Sequence, residues 1–150
     1  MRWRRTVRRG ASLVEFAIVA PLTLLLVIGL LVGGLGIFHY QQVAMLAREG
    51  SRWACVHGTE YATQTGNSAA TADDIYNQAI KPNAIGLDLT KLNCAVAWDT
   101  SNSPSHAATA NGKPIQITNT VTVTVNYKWL PEAYLGGINL SSSSKSVMSY

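Results

Sequence analysis

The feature that most constrains this chain is an apolar segment near its beginning. From Phe16 to Phe38 the sequence carries no charge, and Thr23 provides the only polar side chain. At about 1.5 Å per residue a helix over this segment measures roughly 34 Å, enough to cross a hydrocarbon core of about 30 Å. A buried helix of a soluble domain would have a polar face, and none is present. The sequence therefore predicts one membrane-spanning helix over about residues 16–38.

The distribution of charge predicts how this helix is oriented. The formal net charge is +4, yet residues 1–10 hold five arginines and no acidic residue, whereas all eight acidic residues come later. Basic residues stay on the cytoplasmic side of a membrane. We therefore expect a cytoplasmic amino end, a single membrane pass, and an exported region over residues 39–150. Nucleic acid is not an expected partner, since it would require basic residues spread over the folded domain.

A cleaved secretory signal is the competing interpretation of the same segment. The apolar segment is longer than the roughly 7–15 residues of a signal-peptide core, no small-x-small site follows it, and Glu15 stands at its entrance. These features favour a helix that is retained.

The junction between the basic and apolar segments reads RRGASLVEF, from Arg8 to Phe16. A basic leader, a glycine, four residues, a glutamate and an aromatic residue form the pattern of a class III signal. A prepilin peptidase cuts such a signal on the cytoplasmic side, here between Gly10 and Ala11, and the apolar helix stays in place. Glycine suits this position because its backbone enters a protease cleft without a side chain. We expect residues 1–10 to be removed as a leader.

Residues Gly10 to Trp53 resemble the TadE-like family of pseudopilins from tight-adherence, Flp-type pilus systems. The stretches RRGASLVEFAIVAPLTLLL and QQVAMLAREGSRWA carry the resemblance. The chain departs from the family where it has Gly33-Gly34-Leu35-Gly36 in place of a second acidic residue, and Phe16 in place of a frequent tyrosine. The resemblance implies a pilin-like α+β fold and a structural or assembly role without enzymatic activity. It also implies that no cofactor is bound. The partners that it implies are a prepilin peptidase, other pilins or pseudopilins, the inner-membrane assembly platform and the lipid bilayer.

The resemblance assigns Glu15 and Phe16 to the processing and docking signal. After cleavage, the ammonium of Ala11 and the Glu15 carboxylate stand four residues apart on one helix face. In an assembly, Glu15 of one subunit would neutralise the ammonium of its neighbour. The alternative is a Glu15 that only interacts with the helix dipole and reaches water at the membrane surface.

Gly29 and Gly33 form a G-x-x-x-G pair within the apolar segment. Small residues four positions apart allow two helices to approach closely in lipid. This predicts helix–helix packing, although glycine is also simply frequent in membrane helices.

The first helix is expected to continue beyond the membrane, so that residues 11–58 form a transmembrane and stalk helix. Small and apolar residues recur on one side of residues 39–57, opposite Arg48, Glu49 and Arg52. Gly58 is a predicted C-cap. His39 and Tyr40 stand where the helix would leave the membrane, in the position of an interfacial belt.

Residues 59–150 are predicted to form a small periplasmic α+β domain. Residues 59–70 read as a loop, and Thr71 can cap a short helix over 72–80 that Pro82 ends. Alternation of apolar and polar residues predicts antiparallel strands over 92–98 and 115–129. The sequence also predicts a long mobile connection over 99–114, a loop over 130–137 and a short serine-rich edge strand within 138–150.

Two cysteines, Cys55 and Cys94, occur in the exported part. In an oxidising periplasm such a pair usually forms a disulfide. Two free thiols remain an alternative, as does a metal site with His57 and His106, although that spacing matches no usual zinc pattern. No metal site is therefore predicted.

No nucleophile–base set or phosphate-binding loop stands out, and no catalytic residue is predicted. The main alternative to a pseudopilin is an uncleaved, membrane-anchored periplasmic binding or sensory module. A redox protein that uses Cys55 and Cys94 is a third hypothesis.

Overall fold

The fold is α+β, as predicted: one long amino-terminal helix followed by short helices and antiparallel strands. A computed structural model describes residues 9–130 and 137–150. Most of the predicted leader, residues 1–8, and residues 131–136 of the predicted 130–137 loop lie outside this range. The chain divides into two compact units, residues 1–37 and 38–150.

Helix α1 runs from Arg9 to Val56 and passes through Pro21 without interruption. In the first unit its large apolar side chains are exposed; Leu25, for example, is 74% exposed. In the second unit the same helix is amphipathic. Val43, Leu46, Ala47 and Ala54 are buried, whereas Arg48 and Arg52 face solvent, in agreement with the predicted stalk face.

The predicted loop over 59–70 is wrong for its first half, because helix α2 spans Thr59–Thr65. This helix buries no residue, so it leaves no apolar periodicity in the sequence. It ends at Gly66, which adopts a left-handed conformation with φ of 72°. Gly58 does not act as the predicted left-handed C-cap of α1; its φ is −81°, and it stands at the N-cap of α2.

The predicted helix over 72–80 is present in two parts. Helix α3, Ala72–Ile75, continues into a π-helical turn, Tyr76–Ile80. Thr71 forms a capping box with Asp74, since each side chain bonds the other residue's backbone N–H. Pro82 lies within a following 3-10 turn, Lys81–Asn83. A second 3-10 turn, Leu89–Lys91, leads into the sheet.

The main sheet contains three antiparallel strands in the order β1-β4-β5. Strand β1, Leu92–Trp98, has the predicted bounds, and β4 spans Thr120–Leu130. Strand β5, Ile138–Val147, is the expected serine-rich edge strand. The inward side chains of β4 pack beneath α1, and Val121, Val123 and Val125 are fully buried.

A separate two-stranded sheet corrects two predictions. Strands β2, Ser105–Ala110, and β3, Lys113–Thr118, form an antiparallel hairpin. The predicted mobile connection over 99–114 therefore contains a strand, and the single strand predicted over 115–129 is two strands in different sheets. Asn119 is the point of division and is fully buried.

Candidate functional site

The predicted processing junction lies near the beginning of the described part of α1. Gly10 is helical and exposed, and a Cβ at this position would meet no atom within 4 Å. Glycine lowers the stability of a helix, so the backbone at Gly10 opens more easily than it would with an alanine at this position.

Glu15 and Phe16 lie one to two turns further along α1, and both side chains are exposed. Phe16 lines a shallow apolar groove of about 330 Å³ with Val19, Thr23 and Val27. Thr23 donates its hydroxyl to the Val19 carbonyl at 2.9 Å, which satisfies the one polar side chain of the apolar segment within the helix itself. The groove therefore offers a continuous apolar surface to lipid or to another helix.

Gly29 and Gly33 also have free space around them. An added Cβ at either position would meet no atom within 4 Å. The pair is thus free to accept a close approach by a second helix, and a bulky side chain there would disturb no contact within this chain.

The two cysteines do not come together. Cys94 pairs with Val125 in the sheet. The Cys55 carbonyl accepts bonds from Ser149 and Tyr150, and the preceding Met148 bonds to Asn119. Cys94 is therefore level with Val125, and the Cys55 end of α1 is level with Asn119. These two positions are six residues apart, or about 20 Å along an extended chain. A disulfide needs Cα atoms within about 7 Å, so the predicted Cys55–Cys94 bond does not form in this fold.

Both thiols are instead partly buried. Burial raises the pKa of the Cys94 thiol to about 11. Burial also raises the pKa of Cys55, whose thiol donates to the Arg52 carbonyl at 3.1 Å. Both groups are therefore protonated and weakly nucleophilic at neutral pH.

The alternative metal set is not assembled either. His57 directs Nδ1 to the Trp53 carbonyl at 2.8 Å, and His106 directs Nδ1 to the Asn119 amide oxygen. Over residues 9–130 and 137–150, no group of three or more His, Cys, Asp or Glu side chains is placed to hold a metal ion.

An aromatic cleft on the second unit was not predicted. The His57 ring stacks on Trp53 with centroids 3.9 Å apart and an angle of 9°, and it contacts Tyr61 at 4.6 Å. These rings line a cleft of about 340 Å³ together with Asp74 and Gln78. The i, i+4 spacing of the three rings was visible in the sequence, but helix α2, which presents Tyr61, was not.

A second aromatic group lies where the chain enters the second unit. The His39 ring stacks on Tyr127 at 5.8 Å and lies 6.1 Å from Trp129. Tyr127 is 6% exposed, whereas Trp53, Trp98 and Trp129 are partly buried against the core. These aromatic residues therefore stabilise the packing of α1 on the sheet.

The apolar part of α1 is long and apolar enough to cross a membrane, and the most apolar stretch has no buried residue. A family model described as TadE-like protein matches residues 10–52. The match begins at the predicted cleavage glycine and covers the segment on which the resemblance was drawn, so the resemblance is confirmed over these residues. Searches of curated proteins and of solved structures gave no match.

Proposed function

We propose that this chain is a TadE-like pseudopilin, a non-enzymatic structural or assembly component of a tight-adherence pilus. Residues 16–38 anchor it in the inner membrane with the amino end in the cytoplasm, and the second unit lies in the periplasm. The observation that carries the proposal is the family match over residues 10–52. The matched segment starts at Gly10 and contains an exposed apolar helix that needs a lipid or protein environment.

Processing by a prepilin peptidase follows from the same junction. Local opening of the helix at Gly10 presents this residue as an extended peptide, and cleavage after it removes the five leader arginines. The new amino terminus at Ala11 retains the whole apolar segment. Cleavage therefore changes the charge at the end of the anchor and leaves the anchor itself intact.

Glu15 supplies the docking group in this proposal. Its carboxylate is exposed and stands one helical turn after Ala11. A charge at membrane depth is stabilised when it is paired. Within a stack of subunits, the Ala11 ammonium of one copy and Glu15 of the next form such a pair, and the groove beside Phe16 accommodates apolar side chains of the neighbour.

Mass spectrometry of the membrane-extracted chain tests the processing step. Expressed with its peptidase, the chain should start at Ala11, and Gly10→Leu should leave the leader attached. Gly34→Leu makes the same change at another open glycine of α1 and should be processed normally. A wild-type chain that retains Met1, or one that starts after Phe38, contradicts the proposal.

The place of the processed chain in the pilus system needs a separate experiment. Immunogold labelling of sheared fibres and of membranes distinguishes a fibre subunit from a component of the assembly platform. Labelling of either is consistent with the proposal, whereas normal piliation of a strain that lacks the chain would oppose it.

The aromatic cleft at Trp53, His57 and Tyr61 favours one alternative, an uncleaved membrane-anchored binding or sensory module. That function requires the aromatic cleft and does not require cleavage after Gly10. Under the alternative, Gly10→Leu leaves binding or sensing intact and Trp53→Ala abolishes it. Under the pseudopilin proposal, Gly10→Leu abolishes piliation.

A further inference from the structure

A polar cleft occupies one end of the outer face of the three-stranded sheet. It measures about 520 Å³ and takes lining residues from the turn before β1 and from all three strands. Two lysines and three asparagines provide its side-chain donors: Lys91, Lys128, Asn93, Asn126 and Asn139. The register explains the cluster, because Asn93 pairs with Asn126 and Lys128 pairs with Asn139.

The cleft lies at the end of the sheet where α1 enters the second unit. Lys128 stands between Tyr127 and Trp129, and both of these rings contact His39. His39 directly follows Phe38, the last residue of the predicted span. Groups beside Lys128 are therefore close to the bilayer surface whenever residues 16–38 cross the membrane.

The donors of this cleft are available to a ligand. Within the described part of the chain, no hydrogen bond occupies the side-chain amides of Asn93, Asn126 or Asn139. Lys91 forms an exposed ion pair with Asp88 at 3.6 Å, and exposed pairs of this kind contribute little. Two ammonium groups and three amide groups facing one space fit an anion that has several acceptor oxygens, such as a phosphate ester.

An exposed apolar side chain lies near the same end of the second unit. Ile85 is 77% exposed, and its carbonyl accepts a bond from Gln42 Nε2 at 3.2 Å. Gln42 is one turn beyond Phe38 on α1, so this bond holds the Ile85 loop beside the point where the helix enters the second unit. An exposed apolar side chain at the end of the domain that also carries a basic cleft fits a surface that contacts a lipid interface.

We propose that the cleft between Lys91 and Lys128 binds the headgroup of an anionic phospholipid in the bilayer that α1 crosses. This inference rests on the proposed membrane anchoring, and it adds a lipid-specific contact between the second unit and the membrane surface. The charge of the cleft and its place at the entry of α1 into the second unit favour a lipid phosphate as the occupant. Ile85 enters the headgroup region beside it.

Native mass spectrometry of the full chain tests the proposal. The chain is purified in neutral detergent and mixed with equal amounts of phosphatidylglycerol and phosphatidylcholine. Each basic residue near an anionic surface contributes roughly a five-fold preference. The wild type should therefore retain phosphatidylglycerol in excess, and Lys91→Ala with Lys128→Ala should lower the ratio of the two lipids by about ten- to twenty-five-fold.

A charge-matched control uses two lysines elsewhere in the second unit. Lys145 lies on β5, where it pairs with Thr122 of β4, and Lys113 is the first residue of β3. The double variant Lys113→Ala with Lys145→Ala removes the same charge and should keep the wild-type lipid ratio. Equal loss in both double variants overturns the proposal, because it indicates a general effect of net charge.

Two further measurements separate the possible failures. If inorganic phosphate at millimolar concentration displaces the lipid, the cleft is a site for free anions and the lipid assignment is wrong. Flotation with pure phosphatidylcholine vesicles tests the anchor alone. A chain that floats but shows no preference for phosphatidylglycerol overturns only this inference, whereas a chain that does not float overturns the proposed anchoring as well.

Discussion

Gly58 lies against the backbone of Tyr150, so closely that a Cβ on the glycine would overlap the Tyr150 oxygen. The same added atom would stand 2.8 Å from the Asn102 carbonyl oxygen. The φ of Gly58 is −81°, a value open to any residue, so this glycine is required for space and not for its backbone conformation. It allows the carboxyl-terminal residues to bond to the end of α1, where the Cys55 carbonyl accepts from Ser149 and Tyr150.

Gly58→Ala should therefore destabilise the second unit by about 1–3 kcal/mol through overpacking. Chemical denaturation monitored by tryptophan fluorescence measures this free energy of unfolding. Deletion of Tyr150 removes the closest of the three overlaps, the others being with the Asn102 carbonyl oxygen and Met148 Cε, so Gly58→Ala should cost less in the shortened chain. An equal cost in both backgrounds would show that Tyr150 does not confine this position.

Asn119→Ala should lower the free energy of unfolding by about 3 kcal/mol, since it removes several buried hydrogen bonds. The Asn119 amide donates to Ser101 Oγ at 3.0 Å and to the Ser103 carbonyl at 2.8 Å, and its oxygen accepts from His106. Asn67→Ala is the control, because Asn67 is exposed and makes one bond to Thr65; it should change stability by less than about 0.5 kcal/mol. Similar values for the two variants would contradict a structural role for the Asn119 network.

The cysteine thiols should react slowly in the folded chain. With a pKa of about 11 against an ordinary value of 9.0, Cys94 has about a hundredfold less thiolate than a free thiol at pH 8. Iodoacetamide should therefore modify Cys94 more slowly than Cys55, and both should react rapidly after unfolding. An oxidant should produce no intramolecular disulfide in the folded chain, and detection of one would refute the separation of the two residues.

Alkaline pH should weaken the folded state through the Cys94 thiol. The pKa of Cys94 is higher in the folded chain, so folding retains a proton that the unfolded chain releases. The stabilisation is fully present below about pH 9 and is lost as the pH rises toward 11. Cys94→Ala should flatten the decline in unfolding free energy over this range, and parallel declines in both proteins would exclude Cys94 as its source.

Gly29→Leu with Gly33→Leu should reduce association of α1 in membranes and leave the folding of the second unit unchanged. Both glycines have open space where a side chain would stand, so no internal contact is lost. Crosslinking in membranes measures association, and the control Leu24→Ala with Ile28→Ala alters an exposed pair on the opposite side of the helix, so it should leave association unchanged. Unchanged crosslinking in the glycine variant would show that the G-x-x-x-G pair faces lipid.

Local sequence patterns predicted the elements that interact mainly with residues nearby in the sequence or with solvent. The apolar segment, α1, the amphipathic face around Leu46 and strand β1 were all evident from periodicity and charge. The Thr71–Asp74 capping box was half evident, since Thr71 is an ordinary N-cap residue followed by acidic ones. A processing junction at Gly10 and Glu15 could be predicted because such a signal is read from the linear order of residues, and it stays a prediction.

Other features depend on contacts between residues that are distant in sequence. The alternating pattern runs almost without interruption from Ile115 to Trp129. Bonds from the Asn119 side chain to Ser101, Ser103 and His106 hold the point at which it divides into two sheets. The Cys55–Cys94 separation depends on where α1 meets β4, which spacing does not encode.

The sequence by itself determined that this chain has an apolar, uncharged helix preceded by a basic segment, because hydropathy and charge act along the chain without a partner. Only the tertiary structure decided that Gly58 serves close packing, that the cysteines remain apart, and that Lys91 and Lys128 face one cleft. Those outcomes depend on the register of β1, β4 and β5, which is set by the packing of the whole core and not by any single segment.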